Sequence, residues 1–311
     1  MRVFITGGTG AIGSYAVPAL IAEGHEVTAM ARSQDKAEVL RRQGATPVGV
    51  SLFDSAELAA QFANHDAVIN LASSLPPPAR FMLRSAWSEC ERIRTRGSAT
   101  VVDAALHAGI GRLVQESVVM IYRDGGDRVL DEDCPVEHYP IAAGNHAAEA
   151  SAARMVDSGA AAVVLRFGLF YGPGAAHSEQ IMRWARRHVA FQAGRQQGYM
   201  SSIHLADAAR AVVAALECPS GVYNIVDDHP VTREQHAQAI MAAVGCGAFV
   251  TAPGRLALLL GDRATSLTRS LRVSNARFRD GTGWKPRYPS VWEGYRSMAV
   301  TLAARGSASC Q

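Results

Sequence analysis

Hydrophobic and polar positions alternate along the first half of the chain in the rhythm of an α/β protein. Short runs that are apolar on both faces predict buried parallel strands at residues 2–6, 26–31, 46–50, 67–71, 112–116 and 161–166. Longer alanine-rich stretches between them predict helices at residues 11–23, 34–43, 55–63, 86–108 and 142–157. This βαβα order predicts an α/β fold with a doubly wound parallel sheet and helices on both faces.

The alternation loosens after the turn Tyr171-Gly172-Pro173. Helices are predicted at residues 177–188, 206–217 and 233–244, and a strand at 222–226. We expect a core formed by residues 1–166 plus about 205–226, and a small C-terminal lobe formed by about 167–204 and 227–311.

Composition and charge are those of an ordinary globular protein and argue against nucleic-acid binding. Hydrophobic residues make up 48% of the 311 positions, charged residues 19%, and the formal net charge is +3. Lys36 and Lys285 are the only lysines, and the two arginine pairs, at residues 41–42 and 186–187, lie far apart in the sequence. We therefore expect no nucleic-acid partner.

Cysteine and histidine spacing gives no support for a metal site. The five cysteines are scattered without a CxxC pair, and the ten histidines show neither HxH nor HExxH spacing. This cysteine usage favours a reducing compartment. The first residues lack an apolar leader, and the longest later apolar run, around residues 256–260, is too short to span a bilayer. We therefore expect a cytoplasmic protein with no membrane partner.

The glycine-rich stretch Thr6-Gly7-Gly8-Thr9-Gly10-Ala11-Ile12-Gly13 follows the first predicted strand and opens the first predicted helix. In that context the first glycine allows a tight turn, the second admits a pyrophosphate and the third lets the helix pack on the strand. Helix N–H groups then face the phosphate charge. The predicted cofactor-binding residues are Gly7, Thr9, Gly10, Ala11, Ile12 and Gly13, with Leu71, Ala72 and Ser73 after the fourth strand. The core is thus predicted to bind a dinucleotide, and the lobe to bind substrate.

Arg32 follows the second predicted strand, where the adenosine ribose of a dinucleotide would lie. An acidic residue at this position favours NAD, whereas an arginine grips the 2′-phosphate of NADP. We therefore expect NADP as the cofactor in preference to NAD. The alternative interpretation is a solvated arginine at the start of the next helix.

The GxxGxxG spacing resembles that of the extended and atypical short-chain dehydrogenase/reductases, the group of epimerase/dehydratase-like proteins on a Rossmann core. Further motifs support the resemblance over nearly the whole chain, to about residue 300: "RTRGS" before "VVDAALHAGIGRLVQES", "LRFGLFYGPG", "SSIHLADAARAVVAAL" and "GVYNIVDD".

The residues at the catalytic positions differ from those of that family. Its members use a tyrosine, a lysine four residues later and a serine or threonine at the preceding strand end. The resemblance places these positions on Ile141, Asn145 and Val118, so the usual chemistry is absent. Extended members carry an asparagine at the position of Arg94, which also separates this chain from the family members with the usual catalytic residues.

Three residues are candidates for replacing the lost groups. Ser117 precedes the position of the lost hydroxyl and could donate a hydrogen bond to a carbonyl. The alternative is a structural role, in which its hydroxyl bonds to backbone groups at the strand end. Tyr122 follows in the same loop; as an acid it needs a neighbouring cation, and otherwise it packs its ring beneath the loop. His146 is one residue past the lost lysine, about 100° away around a helix. For His204 and Asp207 a structural role between core and lobe is favoured over ligand binding.

The resemblance implies an NADP-binding atypical short-chain dehydrogenase/reductase that acts on a small organic substrate without the Tyr-Lys pair. The alternatives are a non-redox isomerase, cyclase or lyase on the same scaffold, and a non-catalytic protein that senses NADP. The expected partners are a small-molecule substrate and, as an alternative to a monomer, a second copy of the chain in a homodimer.

Overall fold

The computed structural model of the chain describes residues 1–77, 80, 83–190, 194–247, 250–251 and 268–308. The apolar run at residues 256–260 and Cys310 lie outside the described residues. No helix within the described ranges combines the length and the apolar character needed to cross a membrane.

Seven parallel strands form the central sheet. They are β1 (Arg2–Thr6), β2 (Glu26–Met30), β3 (Thr46–Val48), β4 (Ala67–Asn70), β5 (Arg112–Val118), β6 (Ala161–Phe167) and β7 (Gly221–Ile225). Their order is β3-β2-β1-β4-β5-β6-β7, so the winding reverses between β1 and β4. Ligands of open α/β sheets bind beyond the carboxyl ends of the strands at such a point.

The α-helices of the described residues either flank this sheet or pack together in the later part of the chain. They are α1 (Gly13–Ala22), α2 (Gln34–Arg42), α3 (Ser55–Phe62), α4 (Ser88–Arg92), α5 (Ser98–His107), α6 (Ala143–Asp157), α7 (Ala176–Ala185), α8 (Leu205–Ala214), α9 (Arg233–Ala243), α10 (Ala276–Thr282) and α11 (Val291–Ala308). Residues of α1, α2 and α8 share one buried apolar cluster with the sheet, and residues of α3, α5 and α6 share another. The predicted doubly wound architecture is confirmed.

The predicted continuous helix over residues 86–108 is wrong in its middle. A 3-10 turn (Arg84–Trp87) leads into α4, a π-helical turn (Ile93–Gly97) follows, and α5 begins only at Ser98. A π-helical turn inserts one residue into the helical repeat and re-aims the side chains around it. The cause here is tertiary, because Arg94 of this turn bonds to residues on β5 and α6.

The later segments form a second cluster of helices. Residues of α7, α9 and α11 pack with Tyr171 around a separate apolar cluster. Within the described ranges there are also four small two-stranded sheets: Leu169–Tyr171 with Ser202–His204, Tyr199–Met200 with Val231–Thr232, Val189–Ala190 with Val250–Thr251, and Val129–Leu130 with Arg272–Val273. The predicted strand at 222–226 is β7 of the central sheet.

Asp207 joins α8 to the C-terminal part of the chain. Its fully buried carboxylate accepts the backbone N–H groups of Arg287 at 2.7 Å and Tyr288 at 2.9 Å. His204 uses Nδ1 to accept the N–H of Ala206, which caps the start of α8. These contacts tie Asp207 to the C-terminal part of the chain, whereas the His204 bond stays within the start of α8.

Candidate functional site

Two of the three glycines of the GxxGxxG spacing, Gly7 and Gly13, are required by packing. Gly7 has φ +71°, and a Cβ there would overlap the Leu71 carbonyl. A Cβ on Gly13 would overlap the backbone of Gly7 and Gly8. The loop, the start of α1 and the end of β4 are therefore held together at distances that only glycine permits.

Gly10 differs from the other two because nothing in the described protein fills the space before it. A Cβ on Gly10 would meet a single neighbour within 4 Å, the Gly7 carbonyl oxygen at 3.1 Å. The helix that follows has no side-chain cap and no acidic residue in its first turn. Unneutralised N–H groups beside open space form a cradle for an anion, so the residues present fit a dinucleotide pyrophosphate.

The other residues of the loop divide between solvent and core. Gly10 and Ala11 are exposed and Thr9 is half-buried, whereas Ile12 is buried in the apolar cluster beneath the sheet. Ile12 therefore presents backbone, not side chain, to any ligand at this site.

The end of β4 forms the other wall beside the glycine loop. Leu71 N–H donates to the Thr6 carbonyl at 3.3 Å, which ties the two chain segments together. Ser73 is half-buried with its Oγ 3.8 Å from Cys90 Sγ. Leu71 and Ser73, both predicted from the sequence, thus lie along the same edge of the sheet as the glycines.

Arg32 leaves the sheet at this edge too. Strand β1 pairs in parallel with β2, with Ile5 beside Ala29, so the segments that follow these residues lie side by side. The Arg32 side chain is exposed and forms no ion pair with any described residue. Ser33, next in the chain, caps α2 by accepting the Lys36 N–H. The guanidinium therefore remains available for a ligand phosphate.

The three positions to which the family resemblance assigns the catalytic residues carry apolar or amide side chains. Val118 and Ile141 pack half-buried against the Ile121 and Tyr139 cluster. Asn145 is buried on the first turn of α6. Neither a hydroxyl nor an ammonium group stands at these places.

Tyr122 lies in the interior, fully buried. Its hydroxyl donates to Asn224 Oδ1 at 2.9 Å and accepts from Arg166 Nη1 at 2.8 Å. Burial raises the pKa of Tyr122, and the Arg166 guanidinium offsets this only in part. The cation that the sequence argument required is present, but it holds the phenol within a closed network.

Ser117 belongs to the same network. Its Oγ donates to Glu149 Oε1 at 2.6 Å, and Glu149 also accepts two bonds from Arg166, at 2.9 Å and 2.7 Å. These bonds link β5, α6 and β6 in the interior. A signal for this network is visible in the sequence, since Arg166 is a charged residue inside an otherwise apolar strand.

His146 contacts the segment that precedes α6. Its Nε2 lies 3.1 Å from the Glu137 carbonyl oxygen, and its ring stacks on that of His138 with centroids 4.0 Å apart. The structure therefore brings Ser117 and Tyr122 into one network and leaves His146 outside it.

Sequence reasoning did not find the contact between Arg94, Glu116 and Asn145. Arg94 donates to Glu116 Oε1 at 2.7 Å and to Asn145 Oδ1 at 3.1 Å, and all three side chains are buried. Burial lowers the pKa of Arg94, but the Glu116 carboxylate outweighs this effect and keeps the guanidinium charged. The available signal was the replacement of an asparagine by Arg94 together with the lost lysine at Asn145.

A cavity of about 160 Å³ lies beside this contact. Its lining residues are Trp87, Cys90, Glu91, Arg94, Pro140, Ile141, Ala143 and Gly144. The cavity is therefore bounded by α4, the π-helical turn and the start of α6.

The fold and this edge of the sheet define a Rossmann protein of the short-chain dehydrogenase/reductase type. The sequence of residues 3–226 matches the model of the NAD dependent epimerase/dehydratase family, and the chain belongs to that family.

Two curated relatives and one solved structure extend this result. The 3-diazoavenalumate denitrifying reductase of a Streptomyces species is 34% identical over 310 residues, which cover 94% of this chain and 99% of the relative. The 4-hydroxy-2-methyl-3-oxo-4-farnesyl-3,4-dihydroquinoline-1-oxide ketoreductase of Stigmatella aurantiaca is 31% identical, covering 89% of this chain and 83% of the relative. Human epimerase family protein SDR39U1 (isoform2), crystallised with NADPH, superposes with a TM-score of 0.83 at 26% identity, covering 97% and 100% of the two chains.

Proposed function

We propose that this protein is an NADP(H)-dependent reductase of a small organic substrate. The observation that carries the proposal is the open cradle before Gly10 with an unpaired Arg32 at the same edge of the sheet. The two relatives named as reductases and the NADPH of the SDR39U1 structure support it.

The cofactor would be held by backbone and by one charge. The N–H groups at the start of α1 would bind the pyrophosphate, and the Arg32 guanidinium would bind the 2′-phosphate. Leu71, Ala72 and Ser73 would border the nicotinamide half. When bound, such a cofactor supplies a hydride, that is two electrons and one hydrogen nucleus, to an electrophilic atom of the substrate.

The proton that completes a reduction has no tyrosine donor at position 141. Tyr122 and Ser117 are hydrogen-bonded within a closed network, and His146 Nε2 lies 3.1 Å from the Glu137 carbonyl oxygen. These contacts favour structural roles for all three residues. We propose that water in the cavity beside Ile141 donates the proton. General acid catalysis by a positioned side chain would then be missing, which typically costs on the order of 10²–10⁴ in rate.

Oxidation of NADPH by the purified protein tests the proposal. The protein is titrated with NADPH and then assayed against a panel of aldehydes, ketones and quinones, following loss of NADPH absorbance. The proposed function predicts binding together with turnover of at least one class. Binding without turnover of any class would support the sensing protein instead, and substrate loss without change in the cofactor would support the non-redox enzyme.

A further inference from the structure

Arg94 is held rigidly at the wall of the cavity. Glu116 fixes one end of its guanidinium and Asn145 the other, at 2.7 Å and 3.1 Å. Gly144 allows this arrangement, because a Cβ there would stand 3.0 Å from the Arg94 Cβ. The turn and α6 therefore approach as closely as the chain permits, with the guanidinium between them.

The guanidinium has donors to spare. Arginine carries five N–H groups, and the described contacts use one from Nη1 and one from Nη2. Nε has no acceptor in the described protein, and neither does the amide Nδ2 of Asn145, while Glu116 Oε2 has no donor. A buried donor without an acceptor is costly, and of these three residues it is Arg94 that lines the cavity, so its Nε indicates an acceptor supplied from outside the chain.

We propose that Arg94 binds the reacting oxygen of the substrate in this cavity. The inference rests on the proposed function only in identifying the ligand as the substrate. It also accounts for the missing lysine: the cation comes from the π-helical turn, and Asn145, at the lysine position, accepts a hydrogen bond from it.

The charges around the cavity select the type of oxygen. Glu116 neutralises Arg94, and Glu91 adds a negative charge to the lining. Among the described residues that line the cavity, Arg94 is the only cation. The remaining walls include the apolar side chains of Trp87, Pro140 and Ile141. A neutral carbonyl or N-oxide oxygen on a compact apolar body therefore fits better than a carboxylate.

Benzamide and benzoate serve as probes, since they share shape and differ in charge. Their dissociation constants are measured by ligand-observed NMR, with saturating NADP⁺ and without it. The proposal predicts that benzamide binds more tightly than benzoate. It also predicts that Ala143→Phe, which fills the cavity from an exposed lining position, removes benzamide binding.

The decisive variant replaces both members of the buried pair, Arg94→Gln with Glu116→Gln. A single Arg94 change leaves a buried carboxylate unpaired and risks unfolding, whereas exchange of both partners is much better tolerated. We expect benzamide affinity to fall about tenfold or more, while NADPH affinity stays within about twofold. The matched control is Glu149→Gln with Arg166→Gln, a second ion pair, largely shielded from solvent, that also involves α6 but does not line the cavity.

The outcomes separate cleanly. Loss of benzamide binding in the Arg94 pair and its retention in the Glu149 pair support the proposal. Unchanged binding in the Arg94 pair, equal loss in both pairs, tighter binding of benzoate than benzamide, or no binding of either probe to the wild type would overturn it. Failure of the wild type to bind NADPH would refute the proposed function, and the benzamide measurement without NADP⁺ would still decide the role of Arg94.

Discussion

The buried Tyr122 hydroxyl donates a hydrogen bond to Asn224 Oδ1 at 2.9 Å and accepts one from Arg166 Nη1 at 2.8 Å. A hydroxyl in this position has an acceptor of its own and no open path to a ligand. The hydrogen bond connects the loop after β5 with β7, so we expect it to stabilise the folded protein.

We therefore predict that Tyr122→Phe changes stability and not turnover. Phenylalanine keeps the ring but leaves Asn224 and one Arg166 donor without a partner, which costs about 1–3 kcal/mol. Urea unfolding should show this loss, while kcat with any substrate found in the carbonyl panel stays within about twofold. If Tyr122 is the acid, kcat should fall at least about tenfold.

Tyr139→Phe is the matched control for that experiment. Tyr139 is likewise buried and gives a single hydrogen bond, to the Met120 carbonyl at 2.8 Å. A large kcat loss in Tyr122→Phe that Tyr139→Phe does not share would return the acid role to Tyr122.

Arg32 should decide the choice between the two cofactors. One charged hydrogen-bonded contact to the 2′-phosphate contributes about 1.5–3 kcal/mol, so Arg32→Ala should weaken NADPH binding about tenfold to a hundredfold. NADH binding should not change, because it has no 2′-phosphate. Calorimetric titration of the wild type and Arg32→Ala with NADPH and with NADH measures these affinities. Arg42→Ala, at an exposed position at the end of α2, is the control. Equal wild-type affinities for NADPH and NADH would contradict the prediction.

Gly10 and Gly13 should respond differently to added side chains. Gly10→Val places its bulk in the open cradle, so dinucleotide binding should be lost with the melting temperature nearly unchanged. Gly13→Ala drives a Cβ into the loop backbone and should destabilise the fold by about 1–3 kcal/mol. Thermal melts followed by NADPH titration separate the two effects.

Gly111→Ala controls for the loss of a glycine as such, since a Cβ there meets nothing within 4 Å. Normal NADPH affinity in Gly10→Val would show that the glycine loop is structural only.

The sheet was predictable because its strands are apolar on both faces, and the glycine loop because its spacing depends on local backbone geometry. Strand β5 shows where local reasoning ends: it extends through Val118 with Glu116 and Ser117 inside it. Both polar side chains are paired with residues distant in sequence, Arg94 and Glu149. Such pairs depend on how the π-helical turn and α6 pack, which hydrophobic periodicity does not encode.

Stability should also depend on pH through His236. The ring is buried, and burial, aided by the charges of His177 and Arg233, lowers its pKa from 6.5 to about 4. Because the unfolded chain takes up this proton first, the stabilisation is complete above about pH 6.5 and is lost as the pH falls toward 4. The loss from this residue should reach roughly 2–4 kcal/mol.

Replacement by glutamine tests this assignment. His236→Gln does not titrate and keeps a polar atom for the Tyr295 hydroxyl, which lies 3.4 Å from Nε2. Urea unfolding at pH 7, 6, 5 and 4.5 should therefore show a flatter decline of the unfolding free energy than in the wild type. His107→Gln, at an exposed position on α5, should leave the wild-type slope unchanged. Identical slopes for His236→Gln and the wild type would show that the acid sensitivity arises at other groups.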